Sequence, residues 1–190
     1  NINFRPTPGG KRYGPYEKDF YRILLVEGNR LSPSATVVRR RFLDRHGLAF
    51  NEAQGYATVE DYDFWLNLAR TGARFKFINE VLGEFTVHGE NSSSRLELHL
   101  SNGERLVHDH VFSVQGFESA PERLWKEVCP RLRLGEVRRL ASEGRYATAV
   151  RTALGLVMSS PGPTSIYLYS KVKKRLKLRS PWKGRIDVSG

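Results

Sequence analysis

Residues 56–79 read YATVEDYDFWLNLARTGARFKFIN, and the fold class turns on what this stretch becomes. Thr58 followed three residues later by Asp61 has the form of a capping box, and Gly72 stands where a helix would stop. Between them the spacing predicts a short, strongly apolar helix with Glu60 and Asp61 in its first turn. Acids there are favoured by the exposed N–H groups and the helix dipole, by up to about 1 kcal/mol. Trp65, Leu68 and Ala69 lie one to two turns on, which puts Asp61 at the margin of the buried face and points Asp63 away from it. Phe64, Trp65 and Leu66 read as core. After Gly72, Phe75 and Phe77 alternate with Arg74 and Lys76 as in a half-buried strand.

Working outward, FYRILLVEGN predicts a short helix closed near Gly28 and Asn29. RLSPSATVVRR turns at Pro33 and then runs extended through Thr36, Val37 and Val38. RRFLDRHGLAFNE predicts a helix of little more than one turn ended by Gly47, and EVLGEFTVHG a further extended segment through His88. Strands and helices in this order predict an α/β part over residues 1–95. Beyond it, SAPERLWKEV, LGEVRRLASEG, RYATAVRTALGLVMS and TSIYLYSKVKKRLKL predict an α-helical region over residues 96–190, while RLELHL and RLVHDHVFSVQGF suit helix or strand.

The chain has 190 residues and 21.7 kDa, enough for one ordinary core with a helical appendage. Thirty-one Lys and Arg against 20 Asp and Glu give a net charge of +11 and a pI near 10, so the surface attracts polyanions or anionic lipid headgroups. One cysteine, Cys129, excludes an internal disulfide and suits a reducing compartment. The polar, Gly- and Pro-rich start has no apolar h-region, and no run of 18 apolar residues occurs. Asn91-Ser92-Ser93 matches a glycosylation acceptor, a weak signal by itself.

Three separated signatures, EGNRLSPSATVVRRRFLDRHGLAFNE, VEDYDFWLNLARTG and FKFINEVLGEFTVHGENSSSR, together resemble the second half of a family 2 glycosyltransferase of the GT-A fold over residues 20–95. The resemblance implies an inverting, nucleotide-sugar-dependent transferase acting in polysaccharide or cell-envelope biosynthesis. Asp61 would be its general base, with Glu60 beside it. His88 would lie near the donor diphosphate or its Mn2+ or Mg2+ ion. The implied partners are a nucleotide-sugar donor and a glycan or lipid-linked acceptor; the expected place is cytoplasmic, with the basic segment near the C-terminus, independently of the resemblance, able to hold the chain at the inner face of the plasma membrane. No Asp-x-Asp precedes Glu60, so the resemblance implies the acceptor side alone, with the donor half on the same or another chain.

Arg39, Arg40 and Arg41 form a cluster that is solvated charge by default; contact with donor phosphate or with the acceptor is the sharper reading, the donor-side one for Arg39 and Arg40. His46, His99, His108 and His110 read as ordinary partly buried histidines, because the HDH pair has no third ligand at a recognisable spacing. The segment SKVKKRLKLRSPWKGR carries eight Lys or Arg and no acid, interrupted by Leu176, Leu178 and Trp182, as in a peripheral membrane segment. The rival to the enzyme is a basic helical nucleic-acid-binding or interaction module without enzymatic activity. For nucleic acid it is supported by net charge and by Arg131, Arg133, Arg138 and Arg139, with no recognisable binding motif beside them.

Overall fold

The computed structural model describes residues 19–78 and 96–178, without the side chains of 170 and 173–178. Helix α1 (Phe20–Glu27) is followed by a 3-10 turn (Pro33–Ala35), α2 (Arg40–His46), a second 3-10 turn (Gln54–Tyr56) and α3 (Glu60–Arg70). Then come α4 (Leu96–Asp109), which widens into a π turn (His110–Val114), α5 (Pro121–Ser142), α6 (Tyr146–Ser159) and α7 (Pro161–Leu178). Among the described residues there is no β-strand.

That corrects the α/β expectation and, with it, the GT-A resemblance: no sheet exists among these residues to build a nucleotide-sugar site. Two segments show why the sequence pointed the other way. Residues 73–78 do alternate, with Ala73, Phe75 and Phe77 half-buried and Arg74, Lys76 and Ile78 exposed. However, the surface they cover is a helix: the Phe75 ring lies 4.6 Å from Phe20 of α1. A period of two reports an extended chain lying on something apolar, and a helix serves as well as a sheet. Thr36 is likewise extended, yet Val37 is 99% exposed and the segment leads straight into α2. EVLGEFTVHG lies outside the described residues.

The core gathers Leu24 and Leu25 of α1, Phe64, Trp65, Leu66 and Leu68 of α3, Leu106 and Val107 of α4, Val111 of the π turn, and Leu124 and Val128 of α5. Phe64, Trp65 and Leu66 are core as expected. Helix α5 joins what read as two helices into one of 22 residues, running through a buried Pro130. Arg131 of α5 reaches the C-terminus of α1, donating from Nη2 to the Leu25 carbonyl at 3.2 Å, as cations do at the last turn of a helix. Gly28 lets it pass: with φ at +94°, a Cβ there would sit 3.1 Å from the guanidinium. Arg22 and Glu127 form a second link between the same two helices.

Helices α6 and α7 form a smaller outlying layer on the second half of α5. They bury Leu140, Ala149 and Leu156, which are separate from the main core. A single residue, Ser160, joins the two helices, and its carbonyl accepts the Thr164 N–H at 3.0 Å.

Candidate interaction surface

Helix α3 starts differently from the expected capping box. Val59 is its N-cap and no side chain caps it. Thr58 stands at φ +72°, rare for a β-branched residue, with a buried hydroxyl that has no partner. Its carbonyl and that of Ala57 are instead bonded by α4, through His99 Nδ1 at 2.9 Å and Asn102 Nδ2 at 2.8 Å. Asp61 is half-buried at the margin of α3. One carboxylate oxygen accepts the Tyr62 N–H at 2.7 Å and the other accepts Asn29 Nδ2 at 3.1 Å. Burial, helped by the neighbouring Glu60, pushes its pKa up despite these bonds. Glu60 is exposed.

The remaining candidates do not converge on the acids. Arg39 is the exposed N-cap of α2, and Arg40, also exposed, bonds Asp44 one turn on at 2.8 Å. Among the described residues neither arginine bonds or pairs with Glu60 or Asp61. His88 lies outside the described residues. No group of three or more metal-ligating side chains occurs among those described.

The polar constellation that sequence reasoning missed is in the core. Asp63, expected to point away, is 6% exposed, and His110, at the first position of the π turn, is 3% exposed. His110 Nε2 is 3.1 Å from Asp63 Oδ1, and His110 Nδ1 is 2.9 Å from the Tyr21 hydroxyl. Asn67 Nδ2 donates to the same Asp63 oxygen at 3.2 Å. With Nε2–H donating to Asp63 and Nδ1 accepting from Tyr21, every ring nitrogen is satisfied, and α1, α3 and the π turn are tied together. Burial pushes the Tyr21 hydroxyl well above its ordinary pKa, so it remains a donor. The only sequence sign was Asp63 two residues before Trp65 in a run with no other polar residue before Asn67.

This clasp is closed to solvent; what faces solvent is basic and apolar. Of the α5 arginines, Arg131 holds α1, Arg133 pairs with Glu136 at 3.0 Å and Glu104 at 3.8 Å, and Arg139 pairs with Glu143 at 2.7 Å. Charges spent on internal partners weaken the field that these three offer a polyanion, while Arg123 and Arg138 of the same helix are exposed. The hairpin differs. Between Glu143 and Asp187 the sequence has no acid and ten Lys or Arg. On α6, Tyr146, Val150, Leu154, Val157 and Met158 are all exposed. At 100° per residue they occupy one arc of about 120°, away from Ala149 and Leu156. Ile166 and Val172 of α7 are exposed too. Among the described residues no helix is long and apolar enough to cross a membrane.

Comparison with protein-family models, curated proteins and solved structures found no match in any of the three.

Proposed function

We propose that the chain is a basic helical interaction module that docks on a polyanionic surface through its C-terminal hairpin. The observation that carries this reading is the segregation of charge. From Arg145 to Ile186 the chain holds ten cations and no acid, of which Arg145 pairs with Glu143 at 3.5 Å, whereas Arg133 and Arg139 of α5 are matched by Glu104, Glu136 and Glu143. An unmatched block of one sign raises the local potential and the rate of encounter with the opposite sign. The sugar-transfer reading is withdrawn, since the helical packing offers no sheet to carry it.

The test separates position from net charge. Replacing Lys171, Lys173, Lys174, Arg175 and Lys177 by Gln should sharply lower the salt needed to elute the protein from a sulfated polysaccharide. Replacing Arg39, Arg40, Arg41, Arg45 and Arg74 by Gln removes the same charge and should change it little. Equal loss in both variants would show that only net charge matters and would refute the assignment to the hairpin.

A further inference from the structure

Resting on that reading, we infer that the polyanionic surface is an anionic lipid bilayer, with the exposed face of α6 entering the headgroup region and the flanking cations holding the phosphates. Charge alone would suit a nucleic acid or a sulfated glycan equally. The arc on α6 does not: after Tyr146 at its start, it consists of the non-aromatic Val150, Leu154, Val157 and Met158, at 58%, 60%, 50% and 83% exposure. Leaving such side chains in water is unfavourable, and phosphodiester backbones offer them nothing to pack on. Single-stranded nucleic acid is gripped chiefly by aromatic and guanidinium faces. An acyl-chain boundary takes aliphatic side chains directly, and the combination of an apolar stripe with basic flanks is how interfacial helices bind.

The arc is also unlike the exposed phenylalanines among the described residues: Phe50 stacks on Phe64 at 4.4 Å, Phe112 lies 4.6 Å from His108, and Phe117 lies 5.8 Å from Tyr21; each has a ring neighbour. The α6 residues recur at helical spacing on one face, and Arg151 is exposed at the edge of that face. The face is part of a folded layer anchored by Ala149 and Leu156, so docking requires no unfolding. A second copy of the chain is a poorer occupant, because two acid-free basic hairpins brought together repel.

The full chain should float with vesicles of phosphatidylcholine and phosphatidylserine and not with phosphatidylcholine alone. Val150→Gln/Leu154→Gln, which leaves the charge unaltered, should weaken vesicle binding by at least about tenfold, as expected when two apolar side chains can no longer be buried, while elution from the sulfated polysaccharide and the melting temperature stay near those of the parent. Vesicle binding unchanged in this variant would overturn the inference and leave the interaction module standing. So would preferential binding to nucleic acid, or a parent dimer that the variant dissolves without loss of lipid binding. A parent protein that binds neither vesicles nor polysaccharide would overturn both readings.

Discussion

The core and the hairpin of this protein use polar and apolar groups in opposite ways. The core buries an ionisable pair, Asp63 and His110, and satisfies it with Tyr21 and Asn67. The hairpin leaves Leu154 and Met158 in solvent. Burial of a carboxylate is costly unless hydrogen bonds and a partner replace water, and here they do. Exposure of an apolar arc is costly unless something covers it. One region therefore satisfies its polar groups within the chain, and the other leaves apolar surface uncovered, which is what the proposed docking would cover.

The comparison can be broken most forcefully at Asp63. Asp63→Ala leaves His110 buried without its acceptor and opens a gap between α3 and the π turn. It should lower unfolding free energy by about 3–5 kcal/mol, the range for breaking a buried pair, read by chemical denaturation. A loss typical of a surface site would mean that the clasp does not hold these elements.

Asp61 gives a smaller and pH-dependent effect. Its folded pKa is raised, mainly by burial, so the unfolded chain binds fewer protons here between the ordinary carboxylate value and the raised one. Stability contributed by this group therefore falls as pH rises through that window. The melting temperature of Asp61→Asn, relative to the parent, should shift in the variant's favour from acid to neutral pH, by a few degrees at most. An opposite trend would mean that the bonds from Tyr62 and Asn29 outweigh burial.

The smallest effect should come from the hairpin itself. Leu154→Ala removes an exposed side chain and should change stability by less than about 0.5 kcal/mol, against about 2–5 kcal/mol for a leucine truncated in the core, such as Leu66. Similar costs at the two sites would show that α6 packs on something within the chain.

Much of the helical layout was legible in the sequence. Gly28, Gly47 and Gly72 close helices where they were expected to, RYATAVRTALGLVMS matches α6 with Arg145 as its N-cap, and TSIYLYSKVKKRLKL falls within α7. The fold class was not legible, because alternation in ARFKFIN says that one side of an extended chain is covered and leaves the covering element unnamed. Phe20 on α1 supplies it. Asp63 was misplaced because hydropathy puts carboxylates outside by default, and its partner His110 comes from the π turn, 47 positions later, held in turn by Tyr21 of α1, 42 positions before Asp63. The interaction surface was visible only as a basic tail. The apolar arc on α6 needed the structure, since Val150 and Leu154 look no different in sequence from Leu156, which is buried.

The most direct test of the division between a self-sufficient core and an outward-facing hairpin is amide hydrogen exchange of the full chain with and without vesicles containing phosphatidylserine. The account predicts added protection in residues 146–172 and unchanged exchange in α1, α3 and the π turn. Protection spread evenly over both regions, or confined to the core, would contradict it.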